Sequence, residues 1–357
     1  MKNLAYIIRG KTFLKSMMPL IIFSNSAGIR PIIFCQNIRP GKQYDNIDIA
    51  YLEHILKSFE NNLIKDYELH IFKKDEEIMK VMGEKNIDAI MCQDTQHHAR
   101  SFCENKNIQS FSIGVFFDTL HYSNDIRLGK TKPLFPSKIY FPNRKFELEF
   151  KRISEITDGY RSASLGSPLF DHSIFIEKNK KDKNFKNSVC FLTTLQSLVP
   201  ENLKIEIEDF AKFCENNHIK FIMKSKYRTP WIFKDKNLKI HEIKDEQGFP
   251  HTSLGLILNT DIHISSYSTS ACESNYFGKP CVNIESVKDS KLTYAVNSIK
   301  NDYMFDDVFN SETCKTISSG LKETIFEMID KKYEKLENID ILNNSSMRIL
   351  SDIVKIL

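Results

Sequence analysis

The sequence has no apolar run approaching the ~20 residues that cross a bilayer, no Cys-x-x-Cys pair, and no two His spaced i, i+4 with a carboxylate partner. The first absence removes a membrane-spanning helix, and the other two remove the usual zinc patterns, so no metal is expected. With 12 Gly and 11 Pro in 357 residues, collagen-like and low-complexity classes are excluded as well. The net charge is only +4, and no RNA- or DNA-binding motif is present, which argues against a nucleic-acid partner. The eight cysteines (Cys35, Cys92, Cys103, Cys190, Cys214, Cys272, Cys281 and Cys314) are scattered, most of them in apolar runs. They read as buried free thiols of a chain in a reducing cytoplasm.

What is present is a soluble composition, 41% hydrophobic and 27% charged, in a chain long enough for two domains. The first twenty-odd residues resemble a signal peptide only superficially. Arg9, Lys11 and Lys15 interrupt the apolar stretch and Pro19 divides the rest, so they read as a strand and its helix. Apolar strands are expected at Leu4–Ile8, Pro31–Cys35, Glu68–Phe72, Ile87–Cys92, Phe111–Phe117 and Lys138–Phe141. Helical stretches alternate with them, near Phe13–Ala27, Glu76–Gly83 and Gln96–Asn105, and where Leu52, Ile55, Leu56, Phe59 and Leu63 share a face. Short, continuously apolar strands between amphipathic helices imply a parallel sheet covered on both sides.

Residues 172–187 are polar, and Lys178 to Lys186 are basic. They read as a solvated linker, with contact to an anionic membrane surface as the lesser alternative. Beyond them the rhythm restarts with strand Ser188–Thr193, helix Glu201–Asn216, strands Lys220–Lys224 and Leu238–Ile243, and helix Thr252–Leu258. The expected organisation is a first α/β domain over 1–171, a second over 188–340, and an amphipathic helix over 341–357 that can cross back to the first. Two such halves place a cleft between the carboxyl ends of two parallel sheets, the usual ligand position.

The second half contains Asp261-Ile-His-Ile-Ser-Ser-Tyr-Ser-Thr-Ser-Ala-Cys-Glu, closed by Gly278-Lys-Pro280 and the apolar Cys281-Val-Asn-Ile284. It reads as strand, hydroxyl-rich turn, helix, stop and strand. Ser266, Ser268, Thr269 and Ser270 stand at a helix start, where unpaired N–H groups and the dipole suit a phosphate. Glu273, one turn in, can accept from ribose hydroxyls. An ordinary N-capped helix carries the same residue types.

Three places resemble the GT-B superfamily, in particular the branch holding UDP-N-acetylglucosamine 2-epimerases, teichoic-acid glycerophosphotransferases and capsule or lipopolysaccharide glycosyltransferases. They are Leu165-Gly-Ser-Pro-Leu-Phe-Asp171, similar to the branch's Gly-x-Pro-x-x-Asp turn; Ser268-Thr-Ser-Ala-Cys-Glu273 with Gly278-Lys-Pro280; and Gln93-Asp94-Thr95, similar to the epimerases' Gly-Asp-Thr. The resemblance implies two Rossmann-like domains, a Ser turn for the donor diphosphate, a Glu for the ribose, and a nucleotide-sugar as co-substrate with no other cofactor. It departs from the epimerases at two points. The strand Ser110-Phe-Ser-Ile-Gly-Val-Phe holds no acid before Asp118, and Thr193-Thr-Leu-Gln stands where epimerases carry a His-Arg pair. Transfer chemistry is favoured over epimerisation.

Transfer needs charge to meet the leaving phosphate and a base near the acceptor hydroxyl. Lys224 and Arg228, with Lys226 between them, follow a second-half strand and can clamp phosphate, while a solvated loop would also carry them. Gly10, between Arg9 and Lys11, permits close backbone approach after the first strand. Asp118 and His121 follow the fifth strand as candidate base and partner, with Asp94, His97 and His98 as rivals. His251 is a candidate contact to the donor's base or sugar, or a surface-turn residue. Trp231 either lines the donor pocket or covers the core. The expected partners are a nucleotide-sugar donor and a glycan or lipid-linked acceptor, the latter consistent with peripheral contact at the inner membrane. The leading reading is a surface-polysaccharide glycosyltransferase; CDP-alditol phosphotransfer, epimerisation and non-catalytic sugar-nucleotide binding are the alternatives.

Overall fold

The structure, a computed structural model, describes residues 1–37, 46–60, 63–93, 103, 106–114, 136–154, 161–178, 187–194, 196–225, 231–244, 249, 251–266, 268–285, 311–331, 333 and 344–357. In chain order the first elements are β1 (Lys2–Ile8), α1 (Lys11–Phe23), β2 (Ile29–Gln36), α2 (Ile49–Glu60), β3 (Glu68–Phe72), α3 (Asp75–Glu84), β4 (Ala89–Gln93) and β5 (Gln109–Ile113). Next come β6 (Lys138–Phe141), α4 (Arg144–Ser154), β7 (Arg161–Ser164) and α5 (Pro168–Lys178). The second half adds β8 (Ser188–Leu192), α6 (Glu201–Asn216), β9 (Lys220–Ser225), β10 (His241–Lys244), α7 (Thr252–Asn259) and β11 (Ile262–Ser265). It continues with α8 (Thr269–Phe277), β12 (Cys281–Ile284), β13 (Cys314–Ile317), α9 (Leu321–Ile329) and α10 (Ser345–Ile356). The expected helix at Gln96–Asn105 lies largely outside the described residues.

Among the described residues the strands form two sheets, ordered β3-β2-β1-β4-β5-β6-β7 and β10-β9-β8-β11-β12-β13. All strand pairs in both sheets are parallel. Each order runs outward from one strand and then reverses, at β1/β4 in the first sheet and β8/β11 in the second. Ligands of open parallel sheets bind outside the carboxyl ends of the strands at such switch points. The residues after β1 and β4 in one sheet, and after β8 and β11 in the other, are thus the places to look.

The chain divides into two compact units: Met1–His172 with Gln247–His251 and Asp340–Leu357, and Ser173–Glu246 with Thr252–Ile339. The terminal helix belongs to the first unit. The division falls inside α5, so the first seven residues of the expected linker at 172–187 are helical. Three other elements, β7, β13 and α9, were not expected from the pattern. β7 is short and polar, and its Ser162 and Ser164 hydroxyls donate to buried Glu147 of α4. Burial would raise the Glu147 carboxyl, but donors from Ser162, Arg144, Ser164 and Lys151 bring it to about 2. β13 and α9 complete the second sheet's cover, with Leu321, Ile325 and Met328 buried in its core. The α6 face expected from spacing, Leu203, Ile207, Phe210 and Cys214, is buried. All eight cysteines are buried, and none is in a disulfide. Among the described residues, no helix is long and apolar enough to cross a membrane.

The Gly-x-Pro-x-x-Asp stretch is a joint within the first unit. Gly166 has φ 98°, and a Cβ there would overlap Ser345 Oγ, so no larger residue fits. Pro168 opens α5, where its missing N–H costs nothing. Asp171 then accepts from Ser345 N–H (3.0 Å), Ser346 N–H (2.7 Å) and Ser346 Oγ (2.6 Å), capping α10. Burial pushes the Asp171 carboxyl up, against the pull of these donors.

The next residue solves a second problem. Pro19 lies inside α1 and has no N–H to give to Lys15 C=O. His172 Nε2 takes that carbonyl at 2.6 Å, while its Nδ1 receives the backbone N–H of His251 at 2.9 Å. A carbonyl can only accept and a backbone N–H can only donate, so the ring is the neutral Nε2–H tautomer. Burial, then the nearby Lys15 charge, holds His172 down to about 4 despite the Lys15 carbonyl.

Asp171→Ala leaves two N–H groups and a hydroxyl buried without their acceptor. It is expected to cost about 3 kcal/mol in urea unfolding, by the usual worth of charged hydrogen bonds. The unfolded chain protonates His172 near pH 6.5 and the folded chain only near 4. Its contribution is therefore complete above about pH 6.5 and falls by about 3 kcal/mol as pH drops to about 4. The pH dependence of unfolding for wild type and His172→Asn reads this slope, which the variant should lack.

Candidate functional site

The second sheet's switch point is where the hydroxyl-rich stretch lies. β11 ends at Ser265, and Ser268 N-caps α8, its side chain accepting from Ser270 N–H at 3.4 Å. Gly278, at φ 62° and ψ 38°, ends the helix in the left-handed conformation glycine tolerates best, its N–H bonding Ser274 C=O. The strand-turn-helix-stop reading of this segment is the observed one.

A small cavity of about 40 Å³ opens at this edge, lined by Leu192, Thr193, Thr194, Lys224, Ser253, Ser266 and Ser268. These residues come from the carboxyl ends of β8, β9 and β11 and the first turns of α7 and α8. Thr193 N–H and Oγ1 both donate to Lys224 C=O, at 3.1 and 3.0 Å, pinning the two strand ends together. Lys224 is only 7% exposed, and its Nζ donates to Ser253 Oγ at 2.8 Å. Ser270 Oγ is buried and makes no hydrogen bond to a described residue, although Ser270 as a whole is 3% exposed. One ammonium, a helix N-terminus and several hydroxyls around a small space are the components of an anion site.

The structure thus brings Lys224, Ser266 and Ser268 together, with Thr269 and Ser270 completing the helix start. It adds Thr193, Thr194 and Ser253, which sequence reasoning did not single out. Their only signal was position at a strand or helix end, and a pair of threonines is common anywhere. Glu273 lies one turn inside α8 and is 1% exposed, outside the cavity lining. Beneath the helix, His263 bonds Ser274 Oγ, and Cys281 and Cys314 are direct neighbours in register on β12 and β13.

A larger cavity of about 310 Å³ lies between α6 and residues 231–234. Its lysines already pair with carboxylates, Lys204 and Lys234 both with Glu201, so it offers an anion little. Trp231 is 5% exposed with its ring edge-on to Phe191 at 4.7 Å, so it covers the core of the second unit and is absent from the smaller cavity's lining.

In the first unit, Gly10 follows β1 at the other switch point and starts α1. Its φ of 148° disfavours a side chain, and its carbonyl accepts from Phe13 and Leu14 N–H. His251 is 8% exposed, which rules out the surface-turn reading, and it groups with the first unit. Asp94, His97, His98, Asp118, His121, Lys226 and Arg228 lie outside the described residues.

Comparison with solved structures places this architecture. UDP-GlcNAc 2-epimerase from Methanocaldococcus jannaschii matches with TM-score 0.63 and 14% identity, over 99% of each chain. The wall teichoic acid polymerase TagF matches with TM-score 0.60 and 12% identity, over 99% of this chain and 88% of that one. The kitacinnamycin glycotransferase matches with TM-score 0.55 and 12% identity, over 99% of each. The fold is GT-B. At these identities the likeness carries the fold and no further. No protein-family model matches the sequence, and no curated protein matches it. The small cavity lies at the switch point of the second Rossmann-like unit of this fold.

Two substitutions separate binding from packing here. Lys224→Met keeps the stem and removes the charge, and should weaken binding of inorganic pyrophosphate at least tenfold by calorimetry. Ser270→Ala removes a buried hydroxyl that has no partner among the described residues. It should raise stability by about 1 kcal/mol while weakening pyrophosphate binding, the trade expected of a site residue.

Proposed function

We propose that the chain is a glycosyltransferase that moves a sugar from a nucleotide-activated donor to a glycan or lipid-linked acceptor in surface-polysaccharide assembly. The observation that carries the reading is the anion-sized cavity with buried Lys224 at the second switch point of a GT-B fold. Ser266, Ser268, Thr269 and Ser270 with the α8 N-terminus hold the donor's phosphates, Lys224 and Arg228 meet the leaving charge in place of a metal ion, and Glu273 holds the ribose. On the acceptor side Asp118 is the base and His121 its partner, with Asp94 the rival. Gly10, right after the first strand, allows close backbone approach to the donor. His251 contacts the donor's base or sugar. The basic run Lys178–Lys186 suits a cytoplasmic enzyme that meets a lipid-linked acceptor at the membrane face.

Phosphotransfer from a CDP-alditol donor is the second reading, favoured by the likeness to a teichoic acid polymerase. It uses the same phosphate site. Epimerisation is disfavoured, because Thr193 and Thr194 line the cavity where the resembling epimerases carry His-Arg, and neither can move a proton at neutral pH. A non-catalytic sugar-nucleotide-binding protein would keep the cavity and need neither Asp118 nor His121.

A thermal-shift screen of UDP-, GDP-, CDP- and CMP-linked donors tests the reading. A ligand at 100 times its dissociation constant stabilises by about 2.7 kcal/mol. One donor class should raise the melting temperature, and silence from all of them would remove the nucleotide reading. With the donor found, Asp118→Asn should leave its binding unchanged and lower transfer by about 10²–10⁴-fold. Turnover that survives moves the base to Asp94 or His121.

A further inference from the structure

The helix start that borders the small cavity belongs to α8, and the composition of α8 does not say how the helix should lie. Its buried residues run unbroken from Ser270 to Asn275, and Ser270, Glu273, Ser274 and Asn275 among them are polar. An amphipathic helix is oriented by the apolar stripe it turns to the core. Burial that goes all round α8, over polar and apolar residues alike, leaves its rotation to particular hydrogen bonds. Two adjacent residues in its second turn supply them. Ser274 Oγ bonds His263 Nε2 at 2.9 Å, tying the helix to β11, the strand that leads into it. Asn275 Oδ1 accepts from Ser311 Oγ at 2.7 Å and from Thr313 Oγ1, tying it to the residues just before β13. Ser311 Oγ in turn accepts the N–H of Cys314, the first residue of β13, at 3.1 Å, so this partner is itself fixed to the sheet.

We infer that Ser274 and Asn275 are positioning residues for the small cavity: bonded to His263 and to Ser311 and Thr313, they fix the rotation of α8 and so the aim of its first-turn N–H groups beside Ser266 and Ser268. All of these residues lie in the second unit. Side chains at neighbouring helix positions point about 100° apart. One bond alone would act as a pivot, whereas two in such different directions stop the helix from turning. Ser270 shows the consequence, because its buried Oγ has no partner among the described residues. A helix free to turn would relieve that hydroxyl, and the two clamps hold it where it is. The ligand half of this inference rests on the phosphate reading of the site; the clamping half does not.

Four substitutions separate aim from mere stability. Ser274→Ala removes one clamp. Thr313→Val removes a donor of the other at nearly equal shape, and Thr313→Ser keeps that hydroxyl. Ile325→Ala, a loss of packing in the core of the same unit, is the control. Inorganic pyrophosphate affinity is read by calorimetry on folded protein. Hydrogen exchange of α8 amides is read relative to those of β8, which cancels any loss of global stability. Ser274→Ala and Thr313→Val should bind pyrophosphate about tenfold more weakly and show about tenfold faster relative exchange in α8, while Thr313→Ser and Ile325→Ala stay within about twofold of wild type in both. If the two removal variants behave as Ile325→Ala does, or Thr313→Val as Thr313→Ser does, the bonds only add stability and the inference is overturned. Should Ser274→Ala not fold, the Thr313 pair decides alone. If wild type binds no pyrophosphate, the phosphate reading fails, and the relative exchange of α8 then supports or overturns the clamping by itself.

Discussion

Parallel pairing is the constraint on which this molecule depends. A parallel strand must be followed by a crossover, so every strand delivers its carboxyl end to the same edge of its sheet. That edge collects the loops and helix starts, with their unpaired N–H groups and positive dipole ends. Reversal of strand order at β1/β4 and β8/β11 parts two of these loops in each sheet. In the second unit the parted loops are those carrying Thr193 and Thr194 on one side and Ser266 and Ser268 on the other. The place of the small cavity follows from topology before any residue type is considered; Lys224 and the hydroxyls then line it.

Within the first unit, two adjacent side chains at the start of α5 resolve the polar groups that the fold leaves over. Asp171 takes the N-terminus of α10, and His172 takes the carbonyl that Pro19 leaves unbonded in α1. Both are buried at a cost that only their partners offset, which is why burial moves each titration away from its usual range. Substituting either one leaves its partners buried and unbonded, so the penalty exceeds the value of the bond itself. The site in the second unit has the opposite character. Ser270 Oγ has no partner among the described residues, and Lys224 is buried beside a cavity. A buried hydroxyl without a partner, such as that of Ser270, weakens the fold.

Much of this was legible in the sequence because it depends on local pattern. The α6 face came from 3.6-residue spacing, and the strand-turn-helix-stop unit at Ile262–Ile284 from apolar runs punctuated by serines and Gly278. The two α/β halves came from the alternation of such runs, and the GT-B architecture from the resemblance carried by three short motifs. Less legible were β7 and α5. Arg161-Ser-Ala-Ser has neither the length nor the apolarity of a strand; it is one because its backbone pairs with β6, while Glu147 accepts from its two serine hydroxyls. The Gly-x-Pro-x-x-Asp stretch was readable as a motif, but its task of capping α10 across more than 170 residues was not.

The sequence by itself thus determined the class of fold, the periodic cores, and the chemistry available at the start of α8. Those follow from spacing, from helix propensity and from the conformational limits on Gly and Pro, all properties of neighbouring residues. Only the tertiary structure decided that Lys224 meets Ser253, that threonines complete the cavity, and that His172 links Lys15 to His251. Each joins residues whose separation in the chain is 29, 31, 79 or 157 positions. No local rule reaches across such distances, because hydrogen bonds are set by where packing brings the donors and acceptors, and packing belongs to the whole chain.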